Sequence, residues 1–497
     1  MAVLSRGPGP RHLALLAGFL FLLYMWYSRL LASTSLWDQP STTHEFTETS
    51  NPATHDDIQT PPTDKHKDLS SPHSQFVSWP LHRLCTEQSP STVPGLIFLC
   101  DNNSGGPGNI RNYILTCLRY AIEAGASGIL LPRIRVRAVE QKADLFRGGY
   151  RGFGYMFDER HFRDAWGIAC PHIKIYPEIK NSTIVKEGEE DEEDEGEGEE
   201  ESEDSYLLSI PNLLAKSQRE NLSPSRMVRR IKPKDYGGSR AGCDDRDPNR
   251  HTDRFGDAFR EYLTSLPHTS EDDNPTLIRL SWGVLWDWPI FRDGPEMAAS
   301  FGVLLRPRRD ILHLADHVVS AMREFARKEG EEKDAMFLGV HLRTEEDALS
   351  QWPTYEMQSE GYFRAAEDRG FSGGVAYLAS GSEEQARKFA GDAQTRLQMQ
   401  VKSKYNLVHG PELDKLKGLS WDQQALVDFA ILLQSDYFVG VSPSSFSINV
   451  ALKRHLQKDG LYTRPWKVGW SDGRSWLVGK YEKYWDDWLF MFDGMWP

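Results

Sequence analysis

Residues 95–100 (GLIFLC), 101–109 (DNNSGGPGN) and 110–124 (IRNYILTCLRYAIEA) decide how this chain folds. The first stretch is a short apolar run, which predicts a buried strand. The second is polar and rich in glycine, which predicts a tight loop. The third carries apolar residues at Ile110, Tyr113, Ile114, Cys117, Leu118, Ala121 and Ile122, the spacing of a helix, and Gly125 ends it. Residues 129–131 supply the next strand. Strand, loop, helix and strand make a βαβ unit, the building block of a parallel sheet.

The same alternation returns from residue 335. Strands are predicted at 336–342 (MFLGVHL), 375–379 (VAYLA), 405–409 and 437–441 (YFVGV). Helices are predicted at 362–369, from Glu383 behind a Ser382 cap, at 422–435 and at 446–455. Another amphipathic helix spans 310–328, with Ile311, Leu314, Ala315, Val318, Met322 and Phe325 on one face. Repeated β–α units in both halves predict an α/β fold of two Rossmann-like domains facing across a cleft, 79–334 and 335–470. The last 32 residues hold six of the 15 tryptophans. We read 471–497 as a segment packing back on both domains, with a carbohydrate-stacking surface as the alternative.

Composition narrows the function classes. The chain has 497 residues, of which 39% are hydrophobic and 26% charged, so neither a polytopic membrane protein nor a wholly disordered chain is at hand. Net charge is −14, yet residues 187–204 alone carry 14 acidic side chains, and acids and bases balance elsewhere. The acidity is therefore a local insert, near 186–205, which reads as a solvated segment. No basic domain or aromatic–basic stripe points to nucleic acid.

Residues 13–27 (LALLAGFLFLLYMWY) are uncharged, and the apolar stretch resumes at 30–32. A span over 13–32 would reach roughly 30 Å as a helix, one bilayer core. Arg6 and Arg11 precede it, which favours a cytosolic tail at 1–12 and a single-pass type II signal anchor. A cleaved signal peptide is the competing reading. Either one sends the rest to the secretory lumen, and we expect a Golgi or endoplasmic reticulum membrane protein. Residues 33–78 have the composition of a flexible stem. Sequons at Asn102, Asn181 and Asn221 suit that compartment. Five cysteines leave at least one unpaired within the chain, and Cys117, on an apolar helical pattern, is expected to be a buried thiol.

In open α/β sheets, ligands bind beyond the carboxyl ends of the strands. Three loops qualify. Gly106, Gly108 and Asn109 lie where the first strand meets its helix, and glycine lets backbone approach a ligand. His341 and Arg343 end another strand, two residues apart on one face, with Asp347 just beyond. An arginine there either clamps a diphosphate or pairs with Glu345, Glu346 or Asp347. Ser444, Ser445 and Phe446 open the helix after 437–441, and hydroxyls with free N–H groups make a phosphate cradle. Together the loops describe a nucleotide-sugar site.

At these residues the chain resembles the protein O-fucosyltransferase family. The matching motifs are Gly-x-x-Gly-Asn at 105–109, His-Leu-Arg at 341–343 followed by Asp347, and Asp428 sixteen residues before Ser444-Ser445-Phe446. The resemblance implies a GT-B-like fold, GDP-fucose as donor substrate, no prosthetic group, no bound metal and inversion at the anomeric carbon. It implies that Arg343 binds the β-phosphate and helps the fucosyl–phosphate bond break. His341 and Asn109 would contact donor and sugar, Asp428 would read guanine, and Ser444, Ser445 and Phe446 would hold phosphates and base. Gly106-Pro107 stands where some branches have Arg-Phe, and glycine occupies the region where some branches have a glutamate base just before the loop. Asp101 and Glu345 are candidate bases by position. The acceptor would be a protein or glycan hydroxyl.

Two other readings stay open. Asp245-Arg246-Asp247 has the Asp-x-Asp form that metal-dependent transferases use, although no apolar strand precedes it. The fold would also suit an inactive lumenal binding or scaffold protein.

Overall fold

The computed structural model describes residues 68–137, 148–177, 218–222, 255–264, 269–273, 275–280, 282–329, 335–345, 352–459, 472–483 and 486–497. The expected anchor, the acidic insert, Asp245–Asp247, Cys243, Asp347 and most of the stem lie outside them. No described helix is long and apolar enough to cross a membrane.

Two five-stranded sheets organise the described chain. The first has β1 (Val93–Leu99), β2 (Ala126–Leu130), β5 (Lys174–Tyr176), β6 (Gln218–Leu222) and β7 (Thr276–Leu280), in the order β5-β2-β1-β7-β6. The second has β8 (Leu338–His341), β9 (Val375–Ala379), β10 (Gln400–Lys402), β11 (Tyr437–Val441) and β12 (Ser475–Val478), in the order β10-β9-β8-β11-β12. All their pairings are parallel. Short β3 (Ile134–Arg135) and β4 (Tyr150–Arg151) pair antiparallel outside them. Parallel strands are covered on both faces, so they must be apolar throughout, and every residue of β7, β8, β9 and β11 is buried.

The helices of ten or more residues are α1 (Trp79–Gln88), α2 (Pro107–Ala124), α3 (Glu159–Ala169), α4 (Phe255–Thr264), α5 (Arg309–Glu329), α6 (Tyr355–Asp368), α7 (Glu383–Leu397), α8 (Trp421–Leu433) and α9 (Ser445–Asp459). Local chemistry sets their ends. Gly125, at φ +77°, closes α2 in the left-handed conformation that glycine takes without penalty. Ser382 and Ser420 accept hydrogen bonds from Gln385 and Gln423 at the starts of α7 and α8. One continuous apolar core runs from Leu81 to Trp496 and includes residues of α2, α5, α8 and α9. A second core, with Tyr362, Phe363 and Phe389, packs on the second sheet.

Several local expectations change. Residues 405–409 are not a strand: β10 lies earlier, and Lys404–Leu407 is one turn of helix. The Ser403 N–H donates to Asn406 Oδ1 at 2.9 Å, which starts that turn. β5, β6, β7 and β12 were not expected. Cys117 is buried but is not a thiol, because it is bonded to Cys100, with Cα atoms 5.6 Å apart. The βα turn brings the end of β1 beside α2, a proximity the spacing of 17 residues does not announce. Cys85 and Cys170 form a second disulfide.

Candidate active site

Each sheet is built outward from its first strand in both directions, and the loops at these switch points face one cleft. In the first sheet β1 lies between β2 and β7, with the earlier β6 at the edge beyond β7; in the second, β8 lies between β9 and β11. Loops leaving such neighbouring strands part in opposite directions and open a crevice at the carboxyl ends. The crevice here encloses about 240 Å³. Gly106, Gly108, Asn109, His341, Arg343, Asp428, Ser444, Ser445 and Phe446 all line it. Residues up to 340 positions apart in sequence thus share one cavity, which Glu345 also lines.

The N-termini of α2 and α9 meet in this cleft. A Cβ on Gly108 would lie 2.9 Å from the carbonyl carbon of Ser445 and 3.0 Å from the Phe446 nitrogen. The first N–H groups of a helix have no intrahelical acceptor and carry the positive end of its dipole. Two such ends side by side favour a polyanion. Gly105, at φ +96°, makes the turn that sets α2 in this place. Asn109 Oδ1 is buried and accepts no hydrogen bond, as expected of a group that waits for a ligand donor.

His341 is buried at the end of β8. Its Nδ1 is 2.7 Å from Ser447 Oγ, and its ring packs 4.5 Å from that of Phe446. Burial pushes its pKa down to about 4, so it is neutral at pH 7. Arg343 extends along the cleft and pairs with Glu345, with its guanidinium 5.7 Å from the Trp352 ring. Burial pushes the Glu345 carboxyl up, but the Arg343 guanidinium outweighs it and holds the group below the usual range. Asp428 faces the cleft from α8. It accepts from Lys404 Nζ at 2.7 Å and from the Tyr377 hydroxyl at 2.6 Å.

Asp101 does not line the cleft. It is buried in a bidentate pair with Arg279, both bonds 2.9 Å, and Arg133 stands 3.5 Å away. Burial raises its pKa, yet the two guanidiniums prevail and keep it ionised. This candidate base is a structural anion.

Sequence reasoning offered a carbohydrate-stacking surface only for the C-terminal tryptophans and missed the other four. Trp282 and Trp286 follow β7, Trp352 precedes α6, Trp421 opens α8 and Trp488 comes from the C-terminal stretch, and all five line the cleft. Trp421, Ala425 and Asp428 repeat at helical spacing, a signal that was available. Ser380, directly after β9, was also within reach of the strand-end rule. Trp488 has φ +63°, a conformation rare for a bulky side chain and often held at functional sites. Its ring meets Trp352 edge-on at 6.3 Å. Arg137 lies over Trp421 at 4.9 Å. No group of three or more His, Cys, Asp or Glu that could hold a metal occurs among the described residues.

The O-FucT family profile, GDP-fucose protein O-fucosyltransferase, matches residues 96–457. The chain belongs to that family. This O-FucT chain is therefore a glycosyltransferase of a family that uses GDP-fucose, and its two parallel sheets are consistent with a GT-B-like fold. Among solved structures it is similar to POFUT1 in complex with GDP, at 14% identity and a TM-score of 0.39, over 72% of this chain and 95% of that one. It is also similar to a mutant of Arabidopsis thaliana FUT1 in complex with GDP, at 12% identity and a TM-score of 0.34, over 75% and 71% of the two chains. Comparison with curated protein sequences gives no match.

Proposed function

We propose that this O-FucT chain transfers fucose from GDP-fucose to a hydroxyl of a protein or glycan, with inversion and without a metal, in the lumen of the Golgi or endoplasmic reticulum. The observation that carries the reading is the meeting of the α2 and α9 N-termini beside Arg343, which makes a site for a diphosphate.

The diphosphate lies across Gly108 and Ser445, with Ser444 and Ser445 at its α-phosphate side and Arg343 on the β-phosphate. Guanine sits toward Asp428, between Phe446 and the Trp421–Arg137 pair. As the C1–O bond to the β-phosphate lengthens, negative charge grows on GDP. Arg343 and the helix N–H groups lie ready to neutralise it without reorganising. Neutral His341 and Asn109 hold the sugar by hydrogen bonds. The acceptor enters past Trp282, Trp286, Trp352 and Trp488, whose rings suit the apolar face of a sugar. The acceptor oxygen attacks C1 from the side opposite GDP. Two disulfides support an oxidising compartment, and an apolar span at 13–32 would anchor the chain there as a type II protein.

The test is incubation of the full-length chain with GDP-fucose labelled in the sugar, with secreted glycoproteins as acceptors, with and without EDTA. Label on protein or glycan, in an α-linkage from the β-linked donor, and unchanged in EDTA, is the expected result. Turnover that stops in EDTA moves the chain to the metal-dependent reading. GDP binding without turnover moves it to a binding role.

A further inference from the structure

The anion clamp engages a residue of the chain itself. Glu345 pairs with the Arg343 guanidinium, and its Oε1 accepts the Gly381 N–H at 2.7 Å. A guanidinium and a backbone N–H at the carboxyl end of a strand are donors that suit a phosphate oxygen. The carboxylate thus stands where an anionic ligand is bound best. Both side chains are mostly buried, with 15% of Arg343 and 20% of Glu345 exposed, so water screens the pair weakly.

We infer that Glu345 is a donor-switched catalytic base: it fills the Arg343 clamp until the donor diphosphate displaces it, and then takes the acceptor proton. The inference rests on the donor reading above. Three observations lead to it. First, among the described residues the other carboxylate of the cleft, Asp428, is held by Lys404 and Tyr377, and Asp101 is held by Arg279 outside the cleft. Second, Glu345 lines the same cleft as Trp282, Trp286, Trp352 and Trp488, past which the acceptor enters. Third, its pairing with Arg343 makes it a poor base. Among the described residues, the groups facing it are the charged Arg343 and the neutral His341 from the β8 end, its own backbone N–H, and the Gly381 amide from the β9 loop. When the diphosphate takes the guanidinium, Glu345 loses its counter-charge and gains an anionic neighbour, and both changes raise its proton affinity.

The step then balances. The acceptor O–H proton passes to Glu345, the acceptor oxygen forms a bond to C1, and the C1–O bond to the β-phosphate breaks with its electron pair leaving on GDP. Glu345 becomes basic only when a donor is bound.

Glu345→Gln in the full-length chain tests this. The amide keeps the shape but neither competes for Arg343 nor takes a proton. GDP is expected to bind about tenfold tighter, the loss of one charge-assisted contact's competition. Hydrolysis of GDP-fucose, with water as the acceptor probe, is expected to fall about a hundredfold in kcat. Glu345→Ala is expected to move both values in the same directions, and Glu345→Asp to restore part of kcat. In an Arg343→Ala background the gain in GDP affinity is expected to vanish. A damaged fold would weaken binding and turnover together, so the opposed changes are diagnostic. Arg343-dependent GDP binding with affinity and kcat unmoved by Glu345→Gln and Glu345→Ala overturns the inference and leaves the donor reading standing. Wild-type chain that does not bind GDP overturns both.

Discussion

Gly108 and Ser445 touch backbone to backbone: a Cβ on Gly108 would lie 2.9 Å from the Ser445 carbonyl carbon. This contact sets the N-termini of α2 and α9 side by side, although their sequences lie in different halves of the chain. Gly108→Ala is expected to push the two helices apart and to cost about 1–3 kcal/mol through overpacking. GDP affinity should fall with the lost convergence of N–H groups. Thermal melting and GDP titration of the variant measure the two effects, and unchanged GDP affinity would mean that the contact serves packing alone.

The buried Asp293 gives a stability prediction away from the cleft. It receives Arg119 through bonds of 2.7 and 2.8 Å and the Trp288 indole N–H at 2.9 Å. Removing Asp293 leaves the buried Arg119 with Glu123, at 3.0 Å, as its remaining counter-charge. Asp293→Ala is expected to cost about 3 kcal/mol, the low end for a broken buried pair. Urea unfolding would show it as a lower midpoint, while the fraction still folded keeps its GDP affinity.

Asp428 predicts nucleotide selectivity. Its carboxylate faces the cleft while held by Lys404 and Tyr377, and it retains lone pairs for a further donor. If these accept from guanine, Asp428→Asn weakens GDP about tenfold or more, an effect of the size of a lost hydrogen bond to a charged group. UDP affinity stays nearly unchanged. Titration of both nucleotides against both proteins gives the comparison, and an equal loss for GDP and UDP would remove Asp428 from base recognition.

How much of this was legible in the sequence varies with the range of the interaction. The β1 loop, the His341–Arg343 strand end and the Ser444–Phe446 helix start were readable because each is a local pattern at a strand's carboxyl end. β7 was not. Arg279 interrupts its apolar run, and that arginine is tolerated inside a sheet because Asp101, far off in sequence, neutralises it. The tryptophans failed for a like reason: Trp282 follows the missed strand, and Trp488 reaches the cleft from the chain's last segment. That segment also supplies β12 and is tied to α2. Arg111 donates to the Trp496 carbonyl at 2.8 Å, and the Trp496 N–H donates to Asn112 at 2.9 Å. Such ties over more than 380 positions leave no local signature.

His341 predicts an acid limb in stability. Its folded pKa is about 4, against about 6.5 in the unfolded chain. Between these values the unfolded chain binds the proton and the folded chain does not, so stability rises with pH across the window. It therefore falls as pH drops from about 6.5 toward 4 and levels off below. Melting temperatures of wild type and His341→Gln over pH 4–7 check the sign. The variant should lose less stability on acidification, and an equal loss would assign the limb to other groups.

The most direct measurement is isothermal titration of GDP into the full-length chain, beside Arg343→Ala and with UDP as comparison, with and without EDTA. The donor reading predicts GDP binding that ignores EDTA, exceeds UDP binding, and drops at least a hundredfold in the variant, about 3 kcal/mol for a charge-assisted clamp. Binding that favours UDP, needs a metal, or survives the loss of Arg343 would contradict it.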